Sequence, residues 1–174
     1  MRCTAALMLC IAGLAACDTQ ESMVLTTDGL GKAVLGLTAG ELRDGGAEAF
    51  KILNMQTLVG CSYVHRTGGP DSDAYYMMND GRLVRIDVRK STSTTYPPTL
   101  TAEGVGVGSA EGDVMKIYGK NLTIEPHKYD ANGKILVVRS NDPARGMIFE
   151  TSQGKVTSFR AGLYPALGFV EGCS

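Results

Sequence analysis

Turn glycines that return at a fixed distance restrict this chain more than any other feature. Sliding the sequence by 72 residues lays Gly36, Gly40, Glu41 and Leu42 on Gly108, Gly112, Asp113 and Val114. A shift of 73 lays Tyr75-Tyr76 on Ile148-Phe149, Gly81-Arg82-Leu83 on Gly154-Lys155-Val156, and Ile86 on Phe159. Apolar positions and turn residues recur together, as they do when one supersecondary unit is written twice. Glycine occupies 22 of the 174 positions, well above the usual share of about 7%. Short elements and many turns follow.

Both halves read in the same order. A glycine-rich, strand-like stretch, Gly29 to Leu37 or Gly104 to Gly108, leads into a short helix. Thr38-x-x-Glu41 has the form of a capping box. In the second half Ser109 is the candidate cap, with Glu111 and Asp113 near the positive end of the helix dipole. Gly45-Gly46 and Gly119 supply the stops.

Alternation then replaces the helical period. Phe50 to Asn54, Leu58 to His65, Ala74 to Met78 and Arg82 to Val88 read as strands, the last two joined by Asn79-Asp80-Gly81. In the second half Leu122 to Tyr129 and Lys134 to Ser140 flank Asn132-Gly133, and Met147 to Thr151 and Lys155 to Arg160 flank Ser152-Gln153-Gly154. Val84, Ile86 and Val88 fall on one strand face and Arg85 and Asp87 on the other, so one face is expected to be buried and one wet.

The expected fold class is α+β, a tandem repeat of two units, each a short helix followed by an antiparallel sheet of three or four strands. The expected divisions are a signal segment at 1–16, a tether at 17–28, a first unit at 29–88, a Ser/Thr/Pro-rich linker at 89–103 and a second unit at 104–174. Leu163 to Ser174 has no counterpart in the first half.

Met1-Arg2 followed by an uncharged run from Cys3 to Ala16 has the make-up of a secretory signal. Asp18 ends that run short of the roughly 20 apolar residues a spanning helix needs. Leu14-Ala15-Ala16-Cys17 resembles the lipobox of bacterial lipoproteins. The resemblance implies acylation of Cys17, which becomes the first mature residue, and attachment to a membrane through that lipid. It places the protein in the cell envelope facing the periplasm. Asp18 resembles an inner-membrane retention signal, although sorting rules differ among bacteria, so the choice of membrane stays open. An ordinary signal peptide cut near Ala16 gives the other reading, a soluble periplasmic chain.

With Cys3 and Cys10 removed and Cys17 acylated, Cys61 and Cys173 remain. A pair of cysteines in an exported chain is expected to oxidise. The bridge would close a loop of about 110 residues, worth about 4–5 kcal/mol in the chain-entropy picture, and would pull the C-terminal stretch back across Cys61. Two buried free thiols are the alternative; neither cysteine has zinc-ligand spacing to a second Cys or a His.

The tandem layout resembles the β-lactamase inhibitory proteins, whose sheet face clamps a partner enzyme, and more loosely small envelope lipoproteins whose domains open with a Gly-x-Thr helix start. In texture the chain is most similar to an uncharacterised family of proteobacterial lipoproteins, some labelled lectin-like. The segments concerned are Leu35-Gly-Leu-Thr38, Cys61-Ser-Tyr63, Asn79-Asp-Gly81, Pro126-His-Lys-Tyr129, Ile148-Phe-Glu-Thr151 and Val170-Glu-Gly-Cys173.

No catalytic spacing stands out. Gly-x-Ser-x-Gly, HExxH and P-loop patterns are missing from the sequence, and Gly104-Val-Gly-Val-Gly108 lacks the third fingerprint glycine of a dinucleotide loop. His65 and His127 are far apart in sequence and read as structural or surface residues. Asp71 and Asp73 could offer two carboxylates to calcium, which needs six to eight oxygens; a solvated loop is the plainer reading. Seventeen Lys+Arg against 18 Asp+Glu leave no positive field for nucleic acid.

Seven tyrosines, no tryptophan and the adjacency of Tyr75 and Tyr76, which forces one outward, point to a mixed aromatic and basic recognition face. Its candidate residues are Tyr75, Tyr76, Arg82, Arg85, Tyr129 and Arg160. The expected function is a non-enzymatic, cofactor-free module that binds a protein, as an inhibitor or immunity-type partner of an envelope enzyme. A lectin-like module for envelope glycans and an envelope-assembly lipoprotein are the alternatives.

Overall fold

Period-two alternation dominates the folded chain. A computed structural model describes residues 23–51 and 60–173. The expected signal segment, Cys17 and the start of the tether lie outside the described residues, as do parts of the strands expected at Phe50–Asn54 and Leu58–His65. Strand accounts for 41% and helix for 16%.

The strands are β1 (Val24–Thr26), β2 (Gly29–Leu30), β3 (Ala33–Val34), β4 (Cys61–His65), β5 (Ala74–Asn79), β6 (Arg82–Val88), β7 (Leu100–Thr101), β8 (Leu122–Pro126), β9 (Gly133–Arg139), β10 (Arg145–Ser152) and β11 (Lys155–Leu163). The α-helices are α1 (Ala39–Asp44) and α2 (Glu111–Tyr118). β3-β2-β1-β7 form a small sheet, and β4-β5-β6-β11-β10-β9-β8 form a large one.

This arrangement corrects the expectation of two helix-plus-sheet units. β6 from the first half pairs antiparallel with β11 from the second, setting Val88 opposite Phe159, Asp87 opposite Arg160, Ile86 opposite Ala161 and Arg85 opposite Gly162. Both halves therefore contribute to one continuous seven-stranded sheet, and the molecule is mostly β. The residues expected to form a linker also take part in sheet structure: β7 pairs parallel with β1, and the Thr99 N–H and hydroxyl donate to Asp73 at 2.8 and 2.7 Å.

The correspondences at shifts of 72 and 73 mark local geometry shared by the two central hairpins. Gly36 and Gly108 have φ of +91° and +92°. The Gly36 N–H donates to Leu83 O at 2.7 Å, and the Gly108 N–H to Val156 O at 2.8 Å, docking each helix lead-in onto its hairpin. Asp80-Gly81 and Gln153-Gly154 all take positive φ, the conformation two-residue hairpin turns demand. A register shift follows at Met77/Met78 and another at Glu150/Thr151. Val84 and Thr157 are left without a cross-strand partner, so Leu83, not Val84, joins Ile86 and Val88 in the core.

The helices are positioned locally. Thr38 and Glu41 form the expected capping box, and bonds from the Thr38 backbone and hydroxyl hold the Glu41 carboxyl below its usual range. Ser109 does not cap α2; Ala110 holds that position, and the Ser109 hydroxyl accepts from the Gly106 N–H at 3.0 Å. Asn132-Gly133 does not form a two-residue turn either. His127 Nδ1 accepts from the N–H groups of Tyr129 and Asp130, both at 3.1 Å, bending the chain earlier, and Gly133 opens β9.

The helices and small sheet bury one face of the large sheet around Phe50, Tyr76, Leu83, Phe149 and Phe159. The expected wet face is not wet at its centre. Arg85 is 3% and Arg160 6% exposed, because the C-terminal segment crosses it. Gly162 makes this possible: a Cβ there would lie 3.1 Å from the Arg85 Cβ and Cγ and 2.8 Å from Val84 O. Gly162→Ala should therefore lower stability by about 1–3 kcal/mol, read as a fall in the urea midpoint without a change in slope.

Candidate functional site

Register places His65, Tyr75, Asp87, Arg160, Ile148 and Val137 in one row across six strands of the open face. Charge sits at the centre of this row, aromatic rings at the β4 side and aliphatic groups toward β9. After β11 the chain makes a 3-10 turn at Ala166–Gly168 and runs to Cys173, whose disulfide to Cys61 on β4 bears out the expected pairing, with a Cα–Cα distance of 5.3 Å.

Two arginines hold this strap. Arg85 Nη1 donates to Ala166 O at 3.0 Å and to Phe169 O at 2.7 Å, while its Nε reaches Asp87 at 2.9 Å and its Nη2 reaches the Tyr63 hydroxyl at 2.7 Å. Arg160 Nε donates to Leu167 O at 3.1 Å and its Nη1 pairs with Glu150. Leu167, fully buried, packs on Val137 and Ile148 as a second small core. Burial, with the neighbouring Asp87 charge, pushes the Tyr63 phenol up, so its hydroxyl stays neutral. Gly172 has φ +67° and lies where a Cβ would come within 2.6 Å of that hydroxyl. At the far side, the Tyr129 hydroxyl donates to Glu171 at 2.6 Å.

Between the strap and the β8–β9 loop lies a groove of about 350 Å³. Its floor is Ile135, Val137 and Ile148, its rim carries Tyr129 and Val170, and its polar end is His127, Glu150 and Arg160. Because His127 Nδ1 accepts two backbone bonds, the ring proton of the neutral form sits on Nε2. That nitrogen faces Glu150 Oε2 at 3.8 Å, beyond hydrogen-bond distance. Burial pushes the Glu150 carboxyl up, but Arg160, the Ser158 hydroxyl and His127 together outweigh it and hold the group below its usual range.

The groove can grip an apolar group on its floor and offer a donor at its polar end. It does not assemble a nucleophile with a base: Ser158 donates to Glu150, and among the described residues no hydroxyl or thiol bonds His127 Nε2. Nor do the described residues bring three His, Cys, Asp or Glu side chains together as a metal cluster. Asp73 is bonded to Thr99 and Asp71 accepts from the Tyr76 hydroxyl at 2.9 Å, so these two carboxylates serve different structural bonds.

The candidate recognition residues are scattered. Tyr129, 63% exposed, and Arg160 line the groove. Arg85 lies under the strap. Tyr76 points into the main core. Tyr75 reaches the open face, but His65 stacks on its ring at 4.1 Å and Arg89 sits 4.6 Å from its centre. Arg82 is exposed at the turn and donates to Gly36 O at 2.9 Å. Leu167, Val170 and His127 were not among the candidates; the signal for the first two was the unrepeated C-terminal stretch ending in a cysteine.

No family model, curated protein or solved structure matches this chain. The lipoprotein resemblance therefore rests on the quoted residues alone.

The Glu150–Arg160 pair gives a pH test. Glu150 has a folded pKa below its ordinary value of 4.5, so its ionised form stabilises the fold fully above that pH, and the contribution fades as pH falls through the folded pKa. Glu150→Gln should cost about 2 kcal/mol at pH 7, the worth of a hydrogen bond to a charged group. The gap to the parent, measured by urea denaturation, should narrow as the pH is lowered below 4.5.

Proposed function

We propose that this chain is an exported, lipid-anchored, periplasm-facing module that binds another protein and performs no chemistry of its own. Its recognition surface is the groove beside the C-terminal strap, and its partner is an envelope enzyme that it inhibits or neutralises. The observation that carries this reading is the combination of an aliphatic floor with an exposed aromatic and aliphatic rim, Tyr129 and Val170, beside a polar end where Arg160 and Glu150 are paired and His127 Nε2 faces Glu150 at 3.8 Å. A rigid tyrosine over a buried apolar floor is the composition of a protein-binding hot spot. Export and anchoring are supported by the Met1 to Cys17 sequence. The glycan reading is the weaker one, because Tyr75, the aromatic ring beside the hydroxyl-rich linker, has its faces taken up by His65 and Arg89.

A photoreactive phenylalanine analogue at position 129, introduced into the full chain in its native envelope, tests this. A discrete protein adduct should form at 129, disappear when Val170→Asp is added, and be absent with the analogue at exposed Lys116 on α2. Binding of the purified partner should fall at least tenfold on Tyr129→Ala. Adducts that consist only of glycan, or that form equally at 116, would contradict the reading.

A further inference from the structure

The strap lies across the open face as a bound peptide would. It presents the sheet with three backbone carbonyls, Ala166 O and Phe169 O to Arg85 and Leu167 O to Arg160, and with one aliphatic side chain, Leu167, seated on Val137 and Ile148. None of its residues belongs to the main core, which is built from the helices, the small sheet and the other sheet face. Beyond the Ala166–Gly168 turn the strap is loosely dressed. Phe169 and Val170 are 44% and 49% exposed, and Glu171 is held by Tyr129 and by Lys128 at 3.7 Å. Its end is fixed covalently, to a cysteine on an exposed edge strand.

We infer that the strip under the strap is a peptide-recognition site, that the strap is its resident occupant, and that the Cys61–Cys173 disulfide is the latch that keeps it there. The site takes a segment of a partner protein that makes the same tight turn, offering two carbonyls three residues apart to Arg85, one between them to Arg160 and one aliphatic side chain to the Leu167 seat. This deepens the protein-binding reading above and rests on it for the identity of the ligand as a protein. The occupant's chemistry is fixed by the strap: each guanidinium fork is already satisfied by main-chain oxygen on one side and a carboxylate on the other, and the convergence of Ala166 O and Phe169 O on one Arg85 nitrogen needs the turn at Ala166–Gly168.

Opening the latch takes a dithiol reductant. One of its thiolates attacks the Cys61 sulfur, forming a mixed disulfide and releasing Cys173 as a thiolate that takes up a proton. The second thiolate then displaces Cys61, so the chain gains two thiols while the dithiol becomes a disulfide. An opened strap still competes from an effective concentration on the order of millimolar, so opening permits exchange and does not by itself empty the strip.

The test uses a fluorescent peptide with the sequence of residues 164–172 and anisotropy as readout. Three forms of the full-length protein are compared: oxidised, reduced with dithiothreitol, and Leu167→Asp/Cys173→Ser, in which the strap is both unlatched and unseated. The double variant should bind the peptide at least tenfold more tightly than the oxidised protein, with the reduced protein between them, and a peptide carrying L167D should not bind. Equal binding to oxidised and opened forms, or binding unaffected by L167D in the peptide, overturns the proposal. Amide exchange in β10 and β11 is followed alongside. Retained protection in the opened forms is expected; its loss would make the disulfide a staple of the whole fold and also overturn the proposal. The purified protein is tested here without its envelope, whereas photocrosslinking at position 129 probes the latched protein, so the two readings fail separately.

Discussion

The pairing of β6 with β11 is the constraint on which the rest of the molecule depends. Four residue pairs, from Val88 opposite Phe159 to Arg85 opposite Gly162, join strands distant in sequence and turn two hairpin systems into one sheet. Loop-closure entropy opposes such a contact. What offsets it is the burial of Ile86, Val88, Phe159 and Ala161 on one face, at roughly 25 cal/mol per Å² of apolar surface, together with the charged pairs on the other.

The seam also makes the open face what it is. By placing Asp87 opposite Arg160 and Gly162 opposite Arg85, it concentrates two buried guanidiniums at the centre of a seven-stranded sheet. Buried charges of this kind need compensation. Asp87 and Glu150 give each arginine a carboxylate, and the carbonyls of the C-terminal strap take the next donors. The strap is thus drawn across the sheet by electrostatic need as much as by Leu167, and the disulfide fixes where it ends. The groove is a consequence of that path: it opens beside the strap, where half-buried Ile135 continues the aliphatic floor that Leu167 covers at Val137 and Ile148.

What the sequence made legible is local. The Asp80-Gly81 and Gln153-Gly154 turns, the Thr38/Glu41 capping box and the partnership of Cys61 with Cys173 were each readable because a few neighbouring residues, or a simple count of cysteines, decide them. The seam was not readable, because nothing in the residues of β6 names β11 as its neighbour, and the recurrence at 72 and 73 residues suggested separate units where it records repeated local docking geometry. The face assignment failed at a single residue: the skipped partner at Val84 inverts the parity on which alternation rests, and Leu83 takes the core position. The candidate recognition residues suffered from the same gap. Tyr129 is exposed, but Arg85 and Arg160, charged and in strand register, are covered by a segment whose course depends on the seam.

Backbone amide exchange on the oxidised protein tests the single-sheet account most directly. If β6 and β11 join both halves into one cooperative body, amides of residues 86–88 and 159–162 should exchange only through global opening, with the same free energy as those of Tyr76 in β5 and Phe149 in β10. Two separate opening free energies, one for β4 to β6 and another for β8 to β11 with early exchange at the seam, would contradict it.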